Sequence, residues 1–206
     1  MPPVCFLLKQ KEKDMLIAIL EDAFFRKRSK EPYTRRWTVR AFAYNSEGKL
    51  AFLRIKGLDS LGRRNHLETI GGGVENEETL EEALKREIRE ETGYDCEIIR
   101  KIGYVVDHYN ALNRESISNF FEVKLLDYIG GENRSEEECS LISDIEFIDP
   151  EMVEKKLRTC DRYTINELVQ RRDLIAYQYF MIHKDDEISE ETIACKEDGN
   201  YKETAA

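Results

Sequence analysis

The stretch Gly71–Tyr94 constrains the fold of this chain more than any other part of its sequence. Three consecutive glycines follow a short β-type run, and a glutamate-rich segment with helical apolar periodicity begins a few residues later. Thr79 followed three residues later by Glu82 is the pattern of a capping box, and Gly93 is the type of residue that most easily ends a helix. The sequence therefore predicts a strand, a glycine loop and a helix over Leu80–Thr92.

The glutamates of this predicted helix fall into two sets. At about 100° per residue, one arc of the helix is apolar. Its members are Leu80, Ala83, Leu84 and Ile88. Glu87 and Glu91 lie inside this arc and Glu90 borders it, whereas the other glutamates lie on an ordinary solvated face. Clustered, half-buried carboxylates repel one another and are costly to desolvate, so a cation is expected beside them. Hard oxygen donors favour Mg²⁺ or Mn²⁺ over zinc.

The same stretch resembles the Nudix box, G-x5-E-x7-R-E-U-x-E-E-x-G-U, in which U is a bulky apolar residue. The matching positions are Gly72, Glu78, Arg86, Glu87, Ile88, Glu90, Glu91 and Gly93. The one soft departure is Tyr94, where an aliphatic residue is commoner. The resemblance implies an α/β/α sandwich with a mixed sheet.

The resemblance also implies roles for the residues of the box. The implied ligands of the divalent metal, Mg²⁺ or Mn²⁺, are the carbonyl near Gly72 and the carboxylates of Glu87, Glu90 and Glu91. Arg86 would hold a glutamate in place, Glu78 would anchor the loop to the helix, and Gly93 would be structural. The implied reaction is hydrolysis of the phosphoanhydride bond in a nucleoside diphosphate linked to another moiety, with water attacking phosphorus.

Two sources of the general base stay open. One is a carboxylate of the box, Glu90, which together with Arg86 is assigned to catalysis. The other is the acidic loop Ser135–Glu138, from which Glu137 is the candidate. The box is weakly favoured, because a solvated acidic loop is the simpler interpretation of each of these glutamates. Replacing the general base with Gln should lower turnover by about 10²–10⁴-fold.

Residues that contact the substrate are expected upstream of the box, where arginines accumulate in an otherwise acidic protein. Guanidinium groups bind phosphate oxygens bidentately, so the candidates are Arg40, Arg54 and Arg64. Trp37 and Tyr109 could stack on a base, although single aromatic residues are more often part of a core. Strand alternation places Trp37 and Arg40 on opposite faces.

The remaining elements follow from hydrophobic periodicity. An apolar stripe predicts an N-terminal helix over Asp14–Phe25, and Lys56–Asn65 is interpreted as a surface loop. Strands are predicted at Trp37–Tyr44, Lys49–Ile55, Leu67–Ile70, Glu97–His108, Glu115–Leu126 and Ile142–Ile148. Further helices are predicted at Met152–Leu157 and Ile165–Ile182. The expected organisation is a helical extension and linker over 1–35, a catalytic domain over 36–184, and a flexible acidic tail over 185–206.

Composition narrows the expected partners and location. The formal net charge is −10 and the isoelectric point is near 5.0, which argues against binding to nucleic acid or to an anionic membrane. Five scattered cysteines without a C-x-x-C pair argue against zinc and a disulfide framework, and for reduced thiols in a cytoplasm. No apolar run reaches the roughly 18–20 residues that span a bilayer. A homodimer is expected because the terminal helices offer apolar faces.

Three alternatives to hydrolysis of a small nucleoside diphosphate derivative use the same scaffold. A nucleotide-binding regulatory module would usually lack some of the acids that are present here. mRNA decapping would favour a basic surface for RNA, and isoprenoid diphosphate isomerisation would need a supporting arrangement of Cys and Glu that the sequence does not reveal. Hydrolysis is therefore the leading hypothesis.

Overall fold

A computed structural model of the chain describes residues 15–27, 29–60, 62–159 and 165–184, with the side chain of residue 137 excepted. The strands are β1 (Leu16–Glu21), β2 (Thr34–Tyr44), β3 (Leu50–Asp59), β4 (Gly62–Thr69), β5 (Tyr94–Tyr109), β6 (Arg114–Tyr128) and β7 (Ile142–Ile148). The helices are α1 (Leu80–Thr92), α2 (Glu136–Leu141), α3 (Pro150–Leu157) and α4 (Ile165–Ile182). A 3₁₀ turn, Asn110–Leu112, connects β5 to β6.

The strands form one mixed sheet in the order β1-β5-β6-β2-β3-β4, with β7 paired to β3. β1 runs parallel to β5 and β2 parallel to β6, whereas the other pairs are antiparallel. Helix α1 covers one face of the sheet, and α3 and α4 cover the other. The expected α/β/α sandwich with a mixed sheet and a C-terminal helix is confirmed, and α1, β7 and α4 have the predicted bounds.

Alternation along β2 supplies side chains to two separate cores. Val39 and Ala41 pack under α1 with Leu84, whereas Phe42 packs under α4 with Phe180. The rings of Phe42 and Phe180 are stacked, with centroids 5.3 Å apart. Because both faces of the strand are buried, its sequence is apolar at consecutive positions rather than at alternate ones.

The sheet splits between β2 and β3, and this split determines where the box lies. The two strands pair through Ala43 with Ala51 and through Tyr44 with Leu50. Further along β2, residues 70–74 occupy the position of the neighbouring strand: the amide of Val39 donates to the carbonyl of Gly72 at 3.0 Å. The glycine loop is therefore held against β2 by backbone hydrogen bonds.

The predicted N-terminal helix is wrong. Leu16–Glu21 forms strand β1 instead, and the amide of Tyr104 in β5 donates to the carbonyl of Met15 at 2.8 Å. Short apolar runs rich in β-branched residues fit a strand as well as a helix, and the open edge of β5 decides between them because it supplies hydrogen-bond partners. Asp14, where the predicted helix began, lies outside the described residues, as does the predicted tail over 185–206.

The predicted surface loop Lys56–Asn65 is also wrong. β3 continues to Asp59 and returns as β4, with Lys56 opposite Asn65 in the ladder. Polar side chains at the tip of a hairpin carry little strand signal, whereas cross-strand backbone pairing specifies the structure. Among the described helices, none is long and apolar enough to cross a membrane.

Candidate active site

Helix α1 begins and ends through its own local sequence. The Thr79 hydroxyl accepts a hydrogen bond from the Glu82 amide at 3.2 Å, and the Glu82 carboxylate accepts one from the Thr79 amide at 2.9 Å. Gly93 adopts a left-handed conformation with φ of 73°, and its amide donates to the carbonyl of Arg89. The predicted capping box and glycine cap are confirmed. The apolar residues of the helix then determine which side of it faces the sheet.

The glycine loop lies directly against the two carboxylates that face the sheet. The amide of Gly71 donates to Oε2 of Glu91 at 2.7 Å. A Cβ atom on Gly72 would lie 2.5 Å from Oε1 of Glu87, so only a residue without a side chain allows this approach. Gly71 has a φ of +132°, and a Cβ atom there would collide with the carbonyl of Val39. The glycines therefore allow the backbone to approach the acids.

Arg86 joins the loop to the helix. Its Nε and Nη2 donate to the two carboxylate oxygens of Glu78, at 2.8 and 3.0 Å. Its Nη1 donates to Glu87 at 2.9 Å and to Glu90 at 3.0 Å, and Nη2 also reaches the carbonyl of Gly73. Hydrogen bonding from Arg86 lowers the pKa of Glu78, which stays a carboxylate. One guanidinium thus braces three carboxylates.

A third carboxylate joins Glu87 and Glu91 from outside the box. One carboxylate oxygen from each of Glu87, Glu91 and Glu138 lies within 4.8 Å of the others. We call these three residues the acid cluster. Glu90 is not among these three, and its carboxylate is 29% exposed and accepts a hydrogen bond from Arg86. The sequence predicted Glu90 as a ligand, and it named Glu138 only as part of the acidic segment that could supply the base.

Glu138 reaches the cluster because the chain after β6 is tied to the end of α1. The amide of Ile129 donates to the carbonyl of Gly93, and the amide of Asn133 donates to that of Glu90. The guanidinium of Arg134 donates to the carbonyl of Glu91. These contacts place the first turn of α2 beside Glu87 and Glu91.

The segment predicted as the acidic loop Ser135–Glu138 is the start of α2, and this correction has a local cause. The Ser135 hydroxyl accepts from the amide of Glu138, and the Glu138 carboxylate accepts from the amide of Ser135, which is a second capping box. The Ser-x-x-Glu spacing was a signal for this helix. Glu137, the predicted base, lies in α2, but its side chain is outside the described residues.

The acid cluster is electrostatically unfavourable by itself. Glu87 and Glu91 are 6% and 5% exposed. Burial raises the pKa of Glu87, although Arg86 opposes that rise. Burial also raises the pKa of Glu91 well above its ordinary range, and the neighbouring charge of Glu87 raises it further. The cluster therefore favours a bound cation or bound protons.

The cluster fits a divalent metal ion by its chemistry. Its donors are carboxylate oxygens, which Mg²⁺ and Mn²⁺ prefer, and no histidine or cysteine belongs to it. Because Gly72 has no Cβ, the Glu87 carboxylate can lie against the backbone of the glycine loop. The donor set agrees with the predicted class of metal.

The predicted substrate arginines have different surroundings. Arg40 is largely buried, and its Nη1 forms an ion pair with Glu68 at 2.7 Å. Its Cα atom lies 3.1 Å from where a Cβ on Gly71 would be, and the Gly71 amide donates to Glu91, so Arg40 lies near the acid cluster. Its charge opposes the rise in the pKa of Glu87 and Glu91. Arg54 and Arg64 are engaged elsewhere in the structure. Their partners are Glu146 on β7 and Asp59 at the end of β3, each at 2.7 Å.

The two predicted aromatic residues lie on opposite faces of the sheet. Trp37 is 47% exposed and lines a shallow groove with Tyr104 and Ile117 on the face that carries α1. Tyr109 is buried on the face that carries α4, and burial is the main reason its pKa is raised. The guanidinium carbon of Arg114 lies 4.7 Å from the centre of the Tyr109 ring. Trp37 and Arg40 also lie on opposite faces, as strand alternation predicted.

The chain is a mixed α/β/α sandwich whose split sheet holds an arginine-braced set of glutamates. The family model for the NUDIX domain matches residues 34–168, so the chain belongs to this family and to the pyrophosphatase class of hydrolases. No curated protein sequence gives a significant match.

Solved structures agree with this fold. A MutT protein from Methanosarcina mazei is 16% identical, with a TM-score of 0.56 over 76% of this chain and 99% of that one. A NUDIX hydrolase from Nitrosomonas europaea is 14% identical, with a TM-score of 0.56 over 73% and 91%. The ORF135 protein of E. coli is 18% identical, with a TM-score of 0.52 over 76% and 96%. At these identities the likeness concerns the fold alone.

Proposed function

We propose that this Nudix hydrolase cleaves the phosphoanhydride bond of a nucleoside diphosphate linked to another moiety, with Mg²⁺ or Mn²⁺ held by Glu87, Glu91 and Glu138. The observation that carries this proposal is the convergence of three carboxylates within 4.8 Å, two of them buried. A divalent cation at this position would neutralise phosphate oxygens and lower the pKa of water. The carbonyl near Gly72 completes the proposed donor set.

Arg86 is a positioning residue in this proposal. It bonds to Glu87 on one side and to the loop through Glu78 and the Gly73 carbonyl on the other. Its role is to keep Glu87 oriented toward the site while the loop backbone stays in place. Glu90 shares the same guanidinium and borders the site, so it remains a candidate for the general base.

The acidic segment supplies the second candidate base, which is Glu137, as predicted, or Glu138. A base must lie within hydrogen-bond reach of the attacking water, and among the described side chains of this segment Glu138 belongs to the acid cluster. If Glu138 is the base, Glu87 and Glu91 would hold the metal without it. Water would attack one phosphorus in line, the carboxylate would accept its proton, and the bond from that phosphorus to the bridging oxygen would break to release the other phosphate. Replacement of Glu138 by Gln preserves a side-chain acceptor for the Ser135 amide, so helix α2 should still form.

Arg40 is the predicted substrate residue best supported by its surroundings, because it lies near the acid cluster. Arg54, Arg64, Trp37 and Tyr109 stay in the proposal as residues whose contact with the nucleoside or its linked moiety is to be tested. A UDP-X diphosphatase is among the solved structures of similar fold, so UDP derivatives belong in the test panel.

The test is product release from a panel of nucleoside diphosphate derivatives at saturating Mg²⁺. The variants are Glu91→Gln, Glu138→Gln, Glu90→Gln and Glu137→Gln, with Glu136→Gln as the matched control. Glu136 is exposed at the start of α2 and is outside the acid cluster. We expect a loss of about 10²–10⁴-fold in kcat for the base. Glu136→Gln should retain activity.

Two results would contradict the proposal. If Glu91→Gln and Glu138→Gln turn over as fast as the unaltered enzyme, the acid cluster is not the catalytic centre. If no panel member is hydrolysed but one raises the melting temperature, the chain binds such nucleotides without cleaving them.

A further inference from the structure

Three arginines share one area of the sheet on the face that carries α4. Arg36 and Arg40 are four residues apart on the continuous strand β2, so their side chains leave the same face. Arg114 lies at the start of the adjacent parallel strand β6, paired with Thr34 of β2 and opposite Tyr109 of β5, so it leaves that face as well. Burial lowers the pKa of Arg114, and the charges of Arg36 and Arg40 act in the same direction.

These arginines keep donors that no protein group satisfies. Among the residues that the structure describes, neither Arg36 nor Arg114 forms an ion pair. The Nε atoms of Arg40 and Arg114 are buried, and neither has a hydrogen-bond acceptor among the described residues. Buried donors without acceptors are costly, and they persist where a ligand or water supplies the acceptor.

The charges around the three arginines leave a local positive surplus. The described carboxylates next to them are Glu68, Asp107 and Asp173, whereas Arg172 adds a fourth guanidinium. Burial raises the pKa of Asp107. Burial also acts to raise the pKa of Glu68, but Arg40, His66 and Arg172 hold it well below its ordinary range, so Glu68 is ionised. Glu68 is nevertheless divided between Arg40 and Arg172, at 2.7 and 3.2 Å. In a protein of net charge −10, such a surplus favours an anionic ligand.

The position of this group connects it with the acid cluster. The Nη2 atom of Arg36 lies 2.7 Å from where a Cβ on Gly73 would be, so the guanidinium rests on the glycine loop. Gly72, one residue earlier, is in contact with Glu87. Three buried hydroxyl groups, those of Thr38, Ser116 and Ser118, lie on the same face between the arginines. An anion bound there would be a neighbour of the proposed metal.

We propose that Arg36, Arg40 and Arg114 form an anion subsite that binds a phosphoryl group of the substrate other than the one at the acid cluster. This inference rests on the proposed function and adds a determinant of substrate class. A substrate that places a second phosphoryl group at this subsite gains charge-assisted hydrogen bonds that a neutral group in the same place cannot form.

The subsite is tested without metal or turnover. Binding of inorganic pyrophosphate is measured by isothermal titration calorimetry in EDTA at constant ionic strength. The variants are Arg36→Met and Arg114→Met, with Arg35→Met as the matched control. Arg35 adjoins Arg36 on β2, but it leaves the opposite face and pairs with Glu115 at 2.7 Å. We expect each subsite variant to weaken binding by about 10-fold or more, and the control by less than about 2-fold.

Arg36 is exposed, so its replacement should leave the fold intact even if Arg114→Met destabilises the stack on Tyr109. In turnover assays, the KM of Arg36→Met should rise more than its kcat falls. Unchanged pyrophosphate affinity in Arg36→Met, an equal loss in Arg35→Met, or no binding by the unaltered protein would each overturn the subsite. None of these results depends on hydrolysis, which tests the proposed function separately.

Discussion

Replacing Gly72 with Ala should disable the acid cluster while leaving the fold intact. Gly72 is not among the glycines with positive φ, so alanine fits its backbone conformation. The added Cβ would lie 2.5 to 2.6 Å from the carboxylate atoms of Glu87, whereas ordinary contact begins near 3.4 Å. Because the obstacle is the end of a flexible side chain, the carboxylate moves and the backbone does not.

The required movement of the Glu87 carboxylate is about 1 Å, which decides the expected size of the effect. Metal sites tolerate about 0.2 Å in ligand distance, and a misplacement of 1 Å can cost about 10²-fold in rate. We therefore expect kcat/KM to fall by about 10²-fold and Mn²⁺ affinity to fall with it. The free energy of unfolding should change by less than about 1 kcal/mol.

The assay combines steady-state kinetics with Mn²⁺ binding followed by electron paramagnetic resonance and with urea denaturation. Gly71→Ala is the informative comparison, since its φ is +132° and its Cβ would meet the Val39 carbonyl. That variant should lose stability, by about 1–3 kcal/mol. If Gly72→Ala retains both Mn²⁺ affinity and kcat/KM, the contact between the glycine loop and Glu87 does not hold a ligand in place.

Other predictions concern the electrostatics and the helix. The folded pKa of Glu91 is raised, so its contribution to stability is present below the ordinary glutamate pKa and is lost as pH rises through the folded value. The melting temperature in EDTA should fall over that window, and Glu91→Gln should remove the fall; a persistent fall would assign it to another group. Arg86→Met should cost about 2 kcal/mol in urea denaturation, because three carboxylates lose their shared partner, and Arg86→Lys should recover only part of it. Thr79→Ala should cost about 1 kcal/mol by the same measurement with kcat/KM unchanged, and a large kinetic loss would mean that the cap also orients the cluster.

The local sequence predicted the helix that supplies two members of the acid cluster. Thr79, Glu82 and Gly93 define the ends of α1, and helical counting placed Glu87 and Glu91 on its buried side. These features depend on residues within a few positions of one another, so the local sequence is enough to specify them. The same reasoning failed for Leu16–Glu21, because apolar runs with β-branched residues are compatible with the periodicity of a helix and with that of a strand. The partner strand β5, which decides between them, is distant in sequence.

The selection of Glu138 over its neighbours could not come from counting along the chain. Its place depends on hydrogen bonds from residues after β6 to the carbonyls at the end of α1, which are about forty residues away in sequence. Arg114 escaped notice for a related reason. It becomes a neighbour of Arg36 and Arg40 only through the parallel pairing of β2 with β6.

By itself, the sequence determined an acidic helix of known ends and rotation, and the hardness of its carboxylate donors led to the prediction of a Mg²⁺ or Mn²⁺ site. These properties are local, because capping, periodicity and ligand hardness are determined by the residues themselves. The tertiary structure decided which third carboxylate completes the cluster, which arginines are neutralised and which keep free donors. Those outcomes depend on strand pairing between distant segments, where backbone hydrogen bonds rather than side-chain types bring the groups together.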